Sequence, residues 1–71
     1  MTDPQMTYRR VKVGDKGHQV VVRLLTKGRG FVWEVEDSKT RLIRRDTREY
    51  ETPGEAEEDG SDWITYNLVN L

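Results

Sequence analysis

Apolar and polar residues alternate along the first half of the chain in short runs separated by glycine-containing segments. In YRRVKV, at positions 8–13, Val11 and Val13 fall on one side of an extended chain, while Arg10 and Lys12 fall on the other. Successive side chains of a β-strand point to opposite faces, so this pattern is typical of a half-buried strand. It predicts a first strand that begins at Tyr8.

Two more runs of the same kind follow. HQVVVRLL, at 18–25, carries apolar residues on both faces, so this strand is predicted to be covered on both sides. FVWEVED, at 31–37, alternates, with Phe31, Trp33 and Val35 predicted to face the core and its two glutamates to face outward. The turns GDKG and TKGRG join the runs through glycines that accept a positive φ. Three strands at this spacing indicate an antiparallel meander.

The second half of the chain predicts two further strands around an acidic segment. TRLIRR, at 40–45, extends the meander, and WITYNLV, at 63–69, restores the alternation of a final strand. Between them, ETPGEAEEDGSD, at 51–62, is interpreted as a long loop. It has room for at most one helical turn, at 55–59, because a glycine stands on either side and glycine disfavours helix.

These elements predict an all-β domain: a small five-stranded antiparallel meander with one long acidic loop before the last strand. The sheet is expected to be strongly curved or closed into an SH3-like or OB-like barrel. Closure would remove the unpaired strand edges that a small open sheet exposes. A chain of 71 residues buries a thin core and forms one domain, here assigned to residues 8–71 after a flexible leader at 1–7.

The formal net charge of −1 conceals a division of charge along the chain. Residues 1–48 hold all 12 Lys and Arg against 6 acids, whereas residues 49–71 hold 7 acids and no cation. Such asymmetry indicates either an electrostatic contact within the molecule or an interaction surface of one sign.

Composition excludes several classes of protein. No apolar run approaches the roughly 20 residues that a membrane-spanning helix requires. The start, MTDPQM, lacks the cationic and apolar regions of a secretory signal. The absence of cysteine excludes disulfides and thiolate ligands, and it fits a reducing, cytoplasmic environment. We therefore expect a cytoplasmic protein, monomeric or dimeric, that does not bind a membrane.

No metal, cofactor or catalytic site is predicted. Glu55, Glu57, Asp59 and Gly60 imitate the first half of an EF-hand loop, but Tyr66 stands where its final glutamate should be. The sole histidine has no cysteine or second histidine to share a zinc ion with it. General acid–base catalysis needs a positioned pair in an enclosed site, and a core this small can enclose little. The sequence therefore favours a protein that is not an enzyme.

The acidic segment is interpreted as an interaction surface. Carboxylates spaced along it would imitate the phosphates of nucleic acid and occupy a basic, nucleic-acid-binding groove on a host protein, with an adjacent tryptophan as the aromatic anchor. By analogy of size and charge, this function is typical of phage or mobile-element inhibitors of the anti-CRISPR or anti-restriction type. The residues predicted to contact the partner are Glu51, Glu55, Glu57, Glu58, Asp59, Asp62 and Trp63.

Two other interpretations remain open. In the first, the acids form a solvated loop that pairs loosely with the arginine-rich strand at 41–48 of the same molecule. In the second, the protein is a small β-barrel that binds single-stranded DNA or RNA through a basic face, although the sequence pI of about 5.8 is low for this class. The residues predicted for that face are Arg41, Arg44, Arg45 and Arg48.

Overall fold

A computed structural model of the protein describes residues 5–25 and 30–69. Four strands come first, followed by an α-helix that continues into a short π-helical segment. Their bounds are Gln5–Lys12 (β1), Gln19–Leu25 (β2), Phe31–Glu36 (β3), Leu42–Arg45 (β4), Pro53–Ile64 (α1) and Thr65–Val69 (the π-helical segment). Residues 1–4, in the predicted leader, and most of the predicted TKGRG turn lie outside the described residues.

The predicted antiparallel meander is confirmed. The four strands form one sheet in the order β1-β2-β3-β4, with each strand antiparallel to the next. Central valines stand side by side, with Val20 opposite Val11 on β1 and opposite Val35 on β3. β1 begins at Gln5, three residues before the predicted start. The protein is thus a small, mostly-sheet domain.

The two faces of the sheet have different environments. Val20, Val22, Trp33 and Val35 share one face and form the core together with residues of α1. On the opposite face, Val21 is fully buried although neither α1 nor any other described helix covers it. The predicted burial of β2 on both sides is therefore observed, but charged side chains supply the cover on the second face.

The acidic segment is a helix, so the prediction of a long loop with at most one helical turn was wrong. α1 begins with the sequence pattern of a capping box, T-x-x-E, in which the Thr52 side chain accepts a hydrogen bond from the Glu55 backbone N–H at 3.2 Å. The Thr52 hydroxyl in turn donates to the Glu55 carboxylate at 3.0 Å. Pro53 occupies the first helical position, where its missing N–H has no cost. Helix initiation is therefore encoded locally.

Gly60 lies within α1 because the helix rests on the sheet at that point. A Cβ atom there would lie 2.8 Å from Val20 Cγ1 and 3.2 Å from the Trp33 ring. The buried residues of α1 are Ala56, Gly60 and Ile64, spaced by four so that they share one side of the helix. Two small residues followed by a large one let the helix backbone approach the sheet closely.

The predicted fifth strand at 63–69 was also wrong. Trp63 and Ile64 complete α1, and the next five residues are π-helical. Alternation over 63–69 would place Ile64 and Leu68 on one face of a strand, but residues spaced by four also lie about one helical turn apart. Leu68 packs against the core from the π-helical segment. The barrel is not confirmed: the sheet is open, and α1 covers the face that closure would have enclosed.

Candidate interaction surfaces

Helical periodicity gathers the acids of the segment on the outer side of α1. Residues three and four apart on a helix are neighbours, so acids at positions 55, 58, 59 and 62 form one continuous row. All four are exposed, and the row lies away from the buried side of the helix. Beside it lies an open cleft of about 250 Å³, which Arg48 and Tyr50 also line. We call Glu55, Glu58, Asp59 and Asp62 the acidic ridge.

Asp59 joins the ridge to the core. The Trp33 indole N–H donates a hydrogen bond to Asp59 Oδ2 at 3.0 Å, and the Tyr50 hydroxyl donates to the same oxygen. The pKa of Tyr50 is raised, first because the phenol is buried and second because it donates to Asp59. Asp59 therefore bonds one side chain of β3 and one of the segment before α1, in addition to contributing charge.

Glu57 lies on the other side of α1, where it pairs with the sheet. Its Oε1 is 2.6 Å from Nη1 of Arg9 on β1. The hydrogen bond and the charge of Glu57 raise the pKa of Arg9. The acidic segment thus has an ion pair within the molecule, but that pair joins β1 rather than the arginine-rich strand at 41–48 named in the solvated-loop interpretation.

The predicted anchor, Trp63, is half-buried. Its ring centroid lies 6.3 Å from that of Trp33, and the guanidinium of Arg44 lies 5.5 Å from the Trp63 ring centroid. Trp63 therefore packs against the core with a cation near its ring. Glu51, the remaining predicted contact, is exposed immediately before the helix cap.

The four arginines predicted for a nucleic-acid face diverge. Arg44 stands opposite Val35 on the helix-facing side of the sheet, whereas Arg45 stands opposite Glu34 on the other side. The guanidinium of Arg48 lies 5.4 Å from the ring centroid of Tyr50. Arg41 belongs to the β3–β4 turn, where its backbone N–H donates to Asp37. Of the four, only Arg45 therefore lies on the face of the sheet opposite α1, which no described helix covers. We call this the uncovered face.

A different set of arginines meets on that uncovered face. Nε of Arg23 and Nε of Arg45 bond to the two carboxylate oxygens of Glu34, at 2.8 and 2.9 Å. Arg10 pairs with Glu36 through Nη1. The two glutamates, predicted to face outward, do lie opposite the core but are buried, with exposures of 3% and 6%. We call Arg10, Arg23, Arg45, Glu34 and Glu36 the arginine face.

The arginine face depends on strand register, which is why the sequence alone did not reveal it. Arg10 stands opposite Val21, and Val21 stands opposite Glu34, which in turn stands opposite Arg45. These cross-strand neighbours come from four strands and share one side of the sheet. The alternation within each strand indicates on which side of the sheet a residue lies, but only the pairing between strands shows which residues are neighbours.

Among residues 5–25 and 30–69, no three His, Cys, Asp or Glu side chains are placed to hold a metal ion together. His18 lies just before β2, and its backbone carbonyl accepts a hydrogen bond from Val13. In the same described ranges, no helix has the length and apolar character needed to cross a membrane.

The chain matches no known protein family, no curated protein and no solved structure. The acidic ridge and the arginine face are the two surfaces of the described residues on which charged side chains cluster.

Proposed function

We propose that this protein is a non-catalytic binding protein whose acidic ridge occupies a basic, nucleic-acid-binding groove on another protein. The observation that carries the proposal is the placement of Glu55, Glu58 and Asp62. All three are exposed on the outer side of α1, and within the described residues none of them forms an ion pair. Their charge is thus directed at solvent rather than neutralised within the fold.

The spacing of the ridge supports the comparison with nucleic acid. A helix rises about 1.5 Å per residue, so the four carboxylates from Glu55 to Asp62 extend over roughly 10 Å. One strand of B-DNA carries a charge about every 3.4 Å of helix axis, which gives a similar charge over that length. A helix fixed on a sheet also presents its carboxylates with less loss of conformational entropy than a loop would.

An aromatic contact beside the ridge is expected, because charge steers association more than it provides affinity. Trp63 is half-buried against Trp33, so only part of its side chain can contact a partner. Tyr66 follows Asp62 by four residues and is 72% exposed. We assign the outer aromatic contact to Tyr66. This residue was not a sequence-based candidate, because it was placed on a strand.

The biological setting that we propose is inhibition of a host nucleic-acid-binding complex, of the anti-CRISPR or anti-restriction kind. Small size, the acidic ridge and the absence of a predicted catalytic site support this setting by analogy of physical properties. The expected mode of action is competition, because a groove filled by the ridge is closed to nucleic acid.

The test uses the double variant Glu58→Lys, Asp62→Lys. Neither of these two acids has a side-chain bond in the described residues. By contrast, Glu55 accepts a hydrogen bond from the helix cap, Glu57 pairs with a strand and Asp59 bonds to the core. The matched control is Asp15→Lys, Glu49→Lys, which makes the same change of charge at exposed acids outside the ridge.

Each tagged protein is used to capture partners from nuclease-treated lysate of the source host, and duplex DNA or RNA is then added. We expect the wild type and the control to retain one discrete complex, the ridge variant to lose it, and nucleic acid to displace it. Equal capture by the ridge variant, or a complex that nucleic acid does not displace, would contradict the proposal.

Direct binding of nucleic acid is a second candidate, and one observation favours it. Arg10, Arg23 and Arg45 lie together on the uncovered face of the sheet. If this face binds phosphates, affinity for an oligonucleotide falls steeply with salt and falls further in Arg10→Gln, Arg45→Gln. Affinity that is independent of salt would exclude this candidate.

A further inference from the structure

The two charged surfaces lie on opposite sides of the molecule. α1 packs on the face of the sheet formed by Val20, Val22, Trp33 and Val35, and the acidic ridge is on the outer side of that helix. The arginine face is on the other side of the sheet. The ridge and the arginine face therefore cannot meet within one molecule, although they can meet between two.

The charges of the two surfaces are complementary. Cross-strand register adds Lys12 to the arginine face, since Lys12 stands opposite Gln19 and Gln19 opposite Glu36. This face then carries four cations against two buried carboxylates, an excess of two positive charges. The ridge carries four carboxylates, with Arg48 as the cation that lines the adjacent cleft.

The guanidinium groups of the arginine face are already oriented. Arg45 uses Nε to bond Glu34, and Arg10 uses Nη1 to bond Glu36. Their side chains remain 62% and 41% exposed, so other N–H groups of each guanidinium are available to a ligand. A fixed guanidinium fork fits a carboxylate well and loses little conformational entropy when it binds one.

We propose that the arginine face of one molecule receives the acidic ridge of a second copy. The contact is heterologous, so each added copy brings another unused ridge or face, and the assembly grows head to tail. A second copy is favoured over single-stranded nucleic acid because the described residues of this face include no aromatic side chain for stacking bases. The formal net charge of −1 also means that copies repel one another little.

This contact stands whether or not the ridge also binds a partner protein. If both occur, they compete, because the second copy covers the same carboxylates. A partner with a more basic groove would then dissociate the assembly as it binds.

The test exploits the head-to-tail geometry. The ridge variant Glu58→Lys, Asp62→Lys keeps only the arginine face, and the face variant Arg10→Gln, Arg45→Gln keeps only the ridge. Mass is measured by sedimentation velocity at low and high salt as the protein concentration rises, with circular dichroism to confirm that each variant folds. The control here is Asp15→Lys, which reverses the charge of an exposed acid in neither surface, whereas Glu49 lines a cleft with Arg45 of the arginine face.

We expect the wild type and the control to exceed twice the 8.3 kDa monomer mass at low salt and to dissociate at high salt. Each of the two other variants should remain monomeric alone. Their equimolar mixture should form a dimer and nothing larger, because only one intact ridge and one intact face remain to pair.

Three results would overturn this inference: a wild type that stays monomeric at low salt, a mixture that does not pair, or association that the ridge variant retains. An oligonucleotide that binds the wild-type arginine face while the protein remains monomeric would assign the face to nucleic acid instead. Failure of self-association leaves the capture experiment unaffected, so the two proposals can fail separately.

Discussion

Asp59 illustrates how residues of one acidic segment take different roles in the folded molecule. It accepts hydrogen bonds from Trp33 and Tyr50, while Glu57 pairs with Arg9. Glu58 and Asp62 have no such bond in the described residues. The segment at 51–62 contains six acids among its twelve residues, and the sequence does not distinguish them. Only the helix geometry separates the acids that stabilise the fold from those that can bind a partner.

Tyr50 should make stability sensitive to alkaline pH. Burial and then the bond to Asp59 raise its pKa, so the folded state favours the neutral phenol. The unfolded chain releases this proton first, near pH 10. The stability that Tyr50 contributes is therefore complete below about pH 10 and is lost as the pH rises through the folded-state pKa. We expect the thermal midpoint of the wild type to fall in that range.

Thermal unfolding of Tyr50→Phe from pH 8 to pH 11 checks this expectation. The variant should be less stable at pH 8, because Asp59 loses a donor, and its midpoint should fall less steeply with pH. Tyr66→Phe, which removes an exposed hydroxyl, serves as the control and should parallel the wild type. Parallel curves for Tyr50→Phe and the wild type would show that Tyr50 is not the group responsible.

At the scale of elements, the four strands of the meander were predictable, whereas α1 and the π-helical segment were not, so the predicted count of five strands was too high. Alternation within β1 to β3 is a local signal, and it gave their number, order and inward residues. The helix carries only three strongly apolar or small residues on its buried side, Ala56, Gly60 and Ile64, so its periodicity is faint. The capping box Thr52-Pro53-Gly54-Glu55 was the available signal. It was outweighed by two glycines that indicated a loop.

The secondary structure of residues 63–69 was ambiguous in the sequence for a geometrical reason. Apolar residues at 64, 66 and 68 fit the period of a strand, but those at 64 and 68 also fit one turn of a helix. Tertiary contact decides between the two, and in the folded protein Ile64 is buried against the sheet as the last residue of α1. A short sequence window does not contain that contact.

Gly60 should be required for the packing of α1 on the sheet. Alanine in a helix normally gains about 1 kcal/mol over glycine. At this position its Cβ would meet Val20 and Trp33, and overpacking a core costs roughly 1–3 kcal/mol. We expect Gly60→Ala to lower the free energy of unfolding by about 1 kcal/mol, as measured by urea denaturation.

Gly54→Ala is the matched control for Gly60→Ala. No atom lies within 4 Å of a Cβ placed at Gly54, so the substitution should stabilise the protein by about 0.4–1 kcal/mol. Opposite signs for the two variants support close helix–sheet approach at Gly60. A gain in stability at both sites would mean that α1 does not rest on the sheet there.

At the scale of the whole molecule, strand pairing decides which charges meet. Arg44 and Arg45 are adjacent in sequence, yet they lie on opposite faces of the sheet. Arg10, Arg23 and Arg45 are distant in sequence, yet they surround two buried glutamates. Composition revealed the division of charge along the chain, but the opposition of two charged surfaces follows from the register of four strands and from the side on which α1 packs.

The sheet and α1 should unfold as one unit. One face of the sheet has α1 as its cover, and a sheet this small needs such a cover to be stable. Trp63 lies at the end of α1, whereas Trp33 lies on β3 at its contact with α1. Trp63→Phe and Trp33→Phe therefore each leave one tryptophan, at one of these two positions, as a fluorescence probe. We expect fluorescence and far-ultraviolet circular dichroism to give the same urea midpoint within each variant, as two-state unfolding requires.

A helix that unfolds before the sheet would split the circular-dichroism transition into two steps, and the fluorescence of Trp63 in Trp33→Phe would follow only the first of them. The acidic ridge would then be absent from an otherwise folded sheet, and its carboxylates would no longer be held in a fixed row. A chain truncated after Glu51 tests the same coupling by removing α1 and leaving the sheet. It should lack cooperative unfolding, because Val20, Val22 and Val35 would lose the layer that excludes water from them.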